Sequence, residues 1–189
     1  MYLFIDTETT GLPRNWKAPV TDVNNWPRLV QVAYISSDKN GKVIDSGDYI
    51  IKPNGFSISN EAASIHRITN DRALNEGVDL GNVLSSLAGL IEASEILVAH
   101  NMSFDEKILG AEFLRAKMTN LFQTKHKICT MEESTSFCQI PGKYGYKWPK
   151  LSELHHKLFG VYFDEAHDAS VDIEATFKCF WELKRLGEI

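Results

Sequence analysis

The chain has 189 residues, of which 43% are hydrophobic, and a formal net charge of −5 at pH 7. This length suits one well-buried core and is short for two, so we expect a single domain over residues 1–189. The acidic balance argues against a basic surface spread over the whole protein. Any contact with nucleic acid must therefore come from local patches or from bound metal cations.

The sequence pattern also argues against a membrane protein and against a protein with a cleaved signal peptide. No stretch approaches the roughly 18 apolar residues of a membrane helix, and the first apolar run ends at Asp6 without a cleavage site. We therefore expect no membrane contact and a cytoplasmic location. Cys129, Cys138 and Cys179 are odd in number and lack CxxC spacing, which predicts reduced, buried thiols instead of disulfides or a zinc site.

The first predicted element is a buried strand that begins at residue 2 and runs into Asp6 and Glu8. Successive side chains of a strand face opposite ways, so these two acids point to the same side. Two carboxylates in one small volume repel each other unless they are neutralised, and a divalent cation with oxygen ligands is the usual partner. The pair therefore predicts the beginning of a metal site.

Alternating apolar patterns predict two further strands, at residues 29–35 and 42–51. The intervening Asn40-Gly41 is a turn signal, so we expect an antiparallel hairpin. Helical spacing of Leu80, Val83, Leu84, Leu87, Leu90 and Ile91 then predicts a helix from about residue 79.

The second half of the chain alternates between strands and helices. Predicted elements are a strand at 95–100, a helix at 104–114, a short strand near 128–130, a helix at 150–159 and a long helix from about 170. This order is typical of an α/β fold whose mixed sheet combines an antiparallel hairpin with parallel strands and is flanked by helices.

Two segments allow alternative interpretations. The irregular residues 13–28 carry Trp16 and Trp26 with three cations, and form either a surface excursion pinned by the tryptophans or a loop that contacts substrate. Residues 143–150 interleave three lysines with three aromatic side chains. This second segment either attracts phosphates and stacks bases, or buries Trp148 in the core while its lysines stay in water.

Three later residues resemble the first acids in their setting. Asp105 follows a predicted strand near the start of a helix, and His167 precedes Asp172 by five positions where the last helix begins. Taken alone, Asp105 is as typical of a helix cap as of a catalytic residue, and Asp172 is typical of a favourable acid in a first helical turn. Asp168 is better interpreted as a helix cap. Together with Asp6 and Glu8, the residues Asp105, His167 and Asp172 predict a joint metal site at the end of the sheet.

The order and spacing of three segments resemble the DnaQ-like 3′-5′ exonucleases of the DEDDh subtype. The segments are Asp6-Thr7-Glu8-Thr9-Thr10-Gly11, Asn101-x-x-Phe104-Asp105 and His167-x-Ala169-x-x-Asp172. Residues 59–69 are similar to a further family segment, except that Arg67 stands where the family often has glycine. The resemblance implies a ribonuclease H-like fold.

The resemblance also implies roles for individual residues. Asp6 would bridge two Mg²⁺ or Mn²⁺ ions, Glu8 and Asp172 would bind the ion that holds the attacking water, and Asp105 would support the other. His167 would be the general base, since an imidazole pKa near 6.5 suits that task. The residues expected to contact substrate flank these motifs: Thr9, Gly11, Leu12, His66, Asn101 and Phe104.

The implied reaction is hydrolysis of phosphodiester bonds at the 3′ end of single-stranded or frayed nucleic acid, releasing nucleoside monophosphates. DNA is favoured over RNA by the resemblance alone, and a DNA polymerase or repair complex is an implied partner. Two other classes of function are weaker alternatives, since neither accounts for all five catalytic candidates. One is a non-catalytic or polymerase-tethered binding module, and the other is a phosphatase of the haloacid dehalogenase type, whose Asp-x-Asp-x-Thr motif is close to Asp6-Thr7-Glu8-Thr9.

Overall fold

The computed structural model describes residues 1–163 and 168–189, and its centre is a five-stranded mixed sheet with the strand order β3-β2-β1-β4-β5. The strands are β1 (Tyr2–Thr9), β2 (Leu29–Ser37), β3 (Val43–Ile50), β4 (Ile96–Ala99) and β5 (His126–Cys129). β1 pairs antiparallel with β2 and parallel with β4, while β2–β3 is antiparallel and β4–β5 parallel. The predicted α/β class, the hairpin and the mixed sheet are confirmed.

Helices cover both faces of this sheet. They are α1 (Asn60–His66), α2 (Asn70–Glu76), α3 (Leu80–Ala93), α4 (Met102–Arg115), α5 (Thr130–Glu133), α6 (Thr135–Cys138), α7 (Leu151–Phe159) and α8 (Ala169–Leu186). A 3₁₀ turn at Leu121–Thr124 precedes β5, and a small hairpin of β6 (Pro141–Gly142) and β7 (Gly145–Tyr146) precedes α7.

The alternation of β1 divides the core in two. Leu3 and Ile5 are fully buried in the cluster that contains the apolar side chains of α3 and α4. Phe4 faces the other way, where its ring packs edge-on against Phe180 of α8, with the ring centroids 5.1 Å apart. β1 therefore lies between α4 on one side of the sheet and α8 on the other.

Some elements were not predicted. The helices α1 and α2 are only seven residues long, too short to show an amphipathic period, and are set by their caps: the Ser59 and Thr69 side chains accept hydrogen bonds from Ala62 N and Arg72 N. Between them Arg67 adopts φ 60°. This left-handed conformation suits glycine, which explains physically why a glycine fits at this turn and why arginine there carries strain.

The segment 13–28 is pinned to α4 through a buried ion pair network. Glu112 of α4 is fully buried, and its Oε1 accepts hydrogen bonds from Arg28 Nε at 2.8 Å and Leu29 N at 3.0 Å. Arg115 Nη1 lies 2.9 Å from the same oxygen, and its Nη2 donates to the carbonyl oxygens of Val23 and Trp26. One carboxylate thus connects the end of this segment, the start of β2 and α4.

The three cysteines are buried and free, as predicted. Within the described ranges 1–163 and 168–189, no helix combines the length and the apolar character needed to cross a membrane.

We expect Glu112→Ala to lower the free energy of unfolding by about 3–5 kcal/mol, because it leaves two partly buried guanidinium groups and the Leu29 amide without their acceptor. Urea denaturation followed by circular dichroism would measure this loss. The matched control is Glu76→Ala, which breaks the exposed Arg72–Glu76 pair on α2 and should cost less than about 1 kcal/mol. Equal losses in the two variants would contradict the structural role of Glu112.

Candidate metal centre and active site

Three carboxylates meet where β1 approaches the start of α8. Asp6 and Glu8 are on the strand face that Phe4 presents to α8, as the alternation of the strand requires. Asp172 is in the first turn of α8. One carboxylate oxygen from each of the three residues lies within 4.8 Å of the others. The structure therefore brings together three of the predicted metal ligands, which come from two separate parts of the chain.

The fourth predicted acid reaches β1 from the other side. Asp105 is in the first turn of α4, is almost completely buried, and accepts a hydrogen bond at 2.7 Å from the hydroxyl of Thr7. Thr7 lies between Asp6 and Glu8 in the chain and so points to the α4 face. Thr7 was not among the predicted site residues, although the same alternation that paired Asp6 with Glu8 places it opposite them.

Burial and mutual repulsion raise the pKa values of Asp6, Glu8 and Asp105. Burial, followed by the charges of Asp105, Asp172 and Glu8, raises the pKa of Asp6 well above its usual value. Burial and then the charge of Asp172 raise the pKa of Glu8 to about 8. Burial raises the pKa of Asp105 to about 7, although the Thr7 hydroxyl acts in the opposite direction. Such a cluster needs positive charge before all of its members can ionise.

The donor set fits a hard divalent cation. All of the converging ligands are carboxylate oxygens, which suit Mg²⁺ and Mn²⁺ better than a metal that prefers nitrogen or sulfur. A cation of this kind relieves the repulsion that raises the pKa of Asp6 and Glu8. The residues present therefore fit the metal dependence that the sequence predicts, while the identity of the cation is not fixed by the geometry.

Asp168 has the structural role that the sequence suggested for it. Its carboxylate caps α8 by accepting hydrogen bonds from the Ser170 amide and hydroxyl, at 2.9 and 2.6 Å. Burial alone would raise the pKa of Asp168, but the hydrogen bonds from Ser170 and Gln31 and the charge of Arg72 together lower the net pKa. Gln31 of β2 also donates to Asp168 and accepts from the Ala169 amide. These contacts fix the start of α8, and with it Asp172, over the sheet.

The predicted substrate residues that follow β1 form a sharp turn. The Thr9 hydroxyl donates to the carbonyl oxygen of Gly11 at 2.6 Å, and Gly11 has φ 149°, a conformation that other residues rarely adopt. Leu12 then projects into solvent with 74% of its surface exposed. An apolar side chain that a rigid turn holds in water is available for contact with a ligand.

The other predicted substrate residues have different settings. Asn101 is the N-cap residue of α4 and has a left-handed conformation, φ 79°. Phe104 is partly buried and packs against the core cluster that contains Leu3 and Ile5. His66 is buried at the end of α1, where its Nδ1 accepts a hydrogen bond from the Ile68 amide. This bond gives His66 a local structural role, and its contact with substrate stays a prediction. His167 lies outside the described residues.

His100 was not among the predicted site residues, and the structure shows that it anchors the segment before α7. Its Nε2 lies 3.1 Å from the carbonyl oxygen of Pro149, and its Nδ1 lies 3.0 Å from the Thr130 hydroxyl. Because a carbonyl oxygen only accepts, Nε2 carries the proton. Burial lowers the pKa of His100 to about 4, so the ring stays neutral at physiological pH.

The segment that His100 anchors is exposed. Trp148 has 61% of its surface in solvent and Tyr144 has 91%, and Lys143 lies over the Tyr144 ring. The interpretation in which Trp148 packs into the core is therefore wrong. Trp148 is exposed because the inner positions are already occupied by Pro149, which His100 fixes, and by Leu151 and Leu154 of α7. The aromatic residues that precede them are left in solvent.

Comparisons with known proteins agree with this geometry. Residues 3–180 match the model of an exonuclease family. The chain is 32% identical over 175 residues to the PolC-type DNA polymerase III of Streptococcus pyogenes serotype M2, and 28% identical over 182 residues to that of Listeria innocua. These matches cover 93% and 96% of the chain, but only 10% and 11% of the two relatives. The chain therefore spans about a tenth of the curated relatives it matches.

Solved structures show the same fold. E. coli exonuclease I bound to single-stranded DNA with zinc superposes with a TM-score of 0.76 at 21% identity, over 97% of this chain and 40% of that one. The complex of E. coli exonuclease I with a dT13 oligonucleotide gives 0.75 at 20% identity, over 99% and 42%. These likenesses confirm the ribonuclease H-like fold.

We expect Mg²⁺ to raise the melting temperature more at pH 8 than at pH 5.5. The folded-state pKa values of Glu8 and Asp105 lie above their unfolded values near 4. The contribution of these two groups to the free energy of unfolding is therefore fully present below pH 4 and is lost as the pH rises to about 8. A bound cation offsets this loss and binds the deprotonated carboxylates. Scanning fluorimetry with and without Mg²⁺ would measure both increments.

The control for this measurement is the double variant Asp6→Asn/Glu8→Gln, which keeps the size of both side chains and removes their charge. Its Mg²⁺ increment should be small at both pH values. An increment in the unaltered chain that does not depend on pH would contradict the assignment of the cation to these carboxylates.

Proposed function

Because the chain belongs to the exonuclease family that its residues 3–180 match, we propose that it hydrolyses nucleic acid from the 3′ end and releases nucleoside monophosphates. Family membership confirms the resemblance to DnaQ-like exonucleases and favours this activity over the phosphatase alternative. The observation that carries the proposal is the convergence of Asp6, Glu8 and Asp172 within 4.8 Å, with buried Asp105 bonded to Thr7, the residue between Asp6 and Glu8.

The proposed cofactors are two divalent cations, Mg²⁺ or Mn²⁺. Asp6, Glu8 and Asp172 would hold one of them, and Asp6 and Asp105 would support the other. When bound, such cations activate a water molecule and neutralise charge on the phosphate and the leaving oxygen. The chain contributes the fixed directions of the ligands, because α8 and α4 hold their acids against β1.

Side chains around this centre would supply the remaining functions. His167 would accept the proton of the attacking water, as the family motif implies. The rigid turn of Thr9 and Gly11 would present Leu12 to the terminal nucleotide, and Asn101 and Phe104 would border the same site from the start of α4. His66 would contribute from the end of α1.

We further propose single-stranded DNA as the substrate. The support is the name of the PolC-type relatives, which are DNA polymerases, and the DNA bound to E. coli exonuclease I in the matching structures. A partner polymerase or repair complex and a cytoplasmic location are proposed on the same ground. Because 93–96% of the chain matches these relatives, we take residues 1–189 as a single exonuclease domain.

The hairpin of β6 and β7 offers an additional contact with the strand. Lys143, Tyr144 and Trp148 are exposed, and the His100–Pro149 bond ties their segment to the carboxyl end of β4, where α4 also begins. Exposed aromatic rings stack on bases whatever the sequence, and lysines attract phosphates. We propose that nucleotides farther from the 3′ end contact this hairpin.

We expect Asp6→Ala and Asp172→Ala each to lower Mg²⁺-dependent degradation of a single strand labelled at its 5′ end by roughly a thousandfold or more, since each removes a cation ligand. A descending ladder from the unaltered chain would establish 3′-5′ polarity, and a matched RNA strand would identify the preferred sugar. Circular dichroism would confirm that the variants fold. Full activity in either variant would contradict the proposed centre.

We expect His167→Ala to lower the rate by about a hundredfold to ten-thousandfold, which is the usual contribution of a general base. The stabilisation by Mg²⁺ should persist, because the carboxylates remain. Gel-based kinetics and scanning fluorimetry would measure the two quantities on the same sample. Loss of the Mg²⁺ increment would instead identify His167 as a cation ligand.

A further inference from the structure

The two tryptophans of the segment 13–28 have opposite environments. Trp26 is buried, its Nε1 donates to the Pro19 carbonyl at 3.1 Å, and Lys107 lies over its ring. Trp16 keeps 52% of its surface in solvent, and its ring centroid lies 5.7 Å from that of Phe104. Trp26 therefore anchors the segment, whereas Trp16 offers an open aromatic face that contributes little to the core.

The backbone on both sides of Trp16 is fixed by hydrogen bonds. Asn25 is buried, its Oδ1 accepts from Asn15 N at 2.8 Å and its Nδ2 donates to Asn15 O at 2.9 Å. The Asn15 side chain in turn accepts from Lys17 N, and Arg14 N donates to Asn25 O. A large apolar side chain held half in water by an ordered loop is a preformed contact surface.

The position of this surface connects it with the acidic centre. The Trp16 ring contacts the ring of Phe104, which precedes Asp105 in the first turn of α4. Asp105 in turn accepts a hydrogen bond from Thr7 on β1. Leu12, the exposed residue after the Gly11 turn, belongs to the same connection between β1 and β2. The open face of Trp16 is therefore next to the residues that border the proposed reaction.

The charge of the segment fits a polyanion. Residues 13–28 contain the three cations Arg14, Lys17 and Arg28 and only one acid, Asp22, in a chain whose formal net charge is −5. Arg14 and Lys17, on either side of Trp16, are exposed. Cations beside an exposed indole ring are the combination that binds phosphate and base of a single strand together.

We propose that Trp16, supported from below by Phe104, stacks on an unpaired base within the last three nucleotides of the bound strand. This inference rests on the proposed exonuclease function and names the group that holds the strand at that site. A stack of this kind accepts any base but requires it to be unpaired, so Trp16 would select single-stranded ends.

The first experiment is steady-state degradation of single-stranded DNA. Trp16→Ala should raise KM by about 5- to 150-fold, the loss expected for one base stack, and change kcat by less than about threefold. Trp16→Phe, which keeps an aromatic face, should recover most of the affinity. The control is Ile44→Ala on β3, an exposed apolar truncation in the antiparallel edge strand, which should leave both constants unchanged.

The second experiment separates stacking from a general effect on the loop. Strands with one abasic site at each of the last three positions are compared in the unaltered chain and in Trp16→Ala. At one of the three positions, the abasic site should remove the difference in KM between the unaltered chain and Trp16→Ala, because the base that Trp16 contacts is already missing. A difference that persists at all three positions would overturn the proposal.

Binding is measured separately, so that failure of the stack and failure of the exonuclease function can be told apart. Fluorescence anisotropy of a labelled dT oligonucleotide is recorded with Asp172→Asn, with and without Trp16→Ala. A 5- to 150-fold weaker affinity supports the stack even where the parent chain degrades no strand. Equal affinities of the two proteins, or a KM that Trp16→Ala does not change, would overturn the proposed stack. The exposed ring would then contact a different class of partner.

Discussion

The structure depends on the alternation of side chains along one strand. β1 is apolar up to Ile5, and its buried position in the middle of the sheet fixes which way every later side chain points. Asp6 and Glu8 are thereby directed toward α8, and Thr7 toward α4. A shift of one residue in the pairing of β1 would exchange these directions. The same hydrophobic register that folds the core therefore assembles the acidic centre.

This arrangement stores electrostatic free energy. Burial between the layers on both sides of β1 raises the pKa of Asp6, Glu8 and Asp105, because it removes part of the water that would stabilise their charged forms. Nearby rigid groups, the Thr7 hydroxyl and the Asp168 cap, hold the helices that bring Asp105 and Asp172 close. The fold therefore disfavours the ionised carboxylates, and a bound divalent cation would favour them again. This balance is a physical basis for metal dependence.

The parts that sequence predicted well are those with a long or regular signal. The period of α3, the Asn40-Gly41 turn and the acids of β1 follow from local rules, and each is found in the structure. The short helices α1 and α2 were missed because two turns show no period and depend on single caps. The exposure of Trp148 was open in sequence because it is decided by the remote bond between His100 and Pro149.

Glu112 illustrates the same limit in a charged residue. In sequence it is one more acid on an amphipathic helix, where a solvated position is the default expectation. Its burial follows from Arg28 and Arg115, of which Arg28 is 84 positions away in the chain. That network fixes the end of the segment that carries Trp16, while Asn25 fixes its beginning through hydrogen bonds with Asn15 and Arg14. The order of an irregular loop therefore comes from side-chain acceptors that are buried beneath it, and this order lets a solvent-exposed ring keep one position beside the acidic centre.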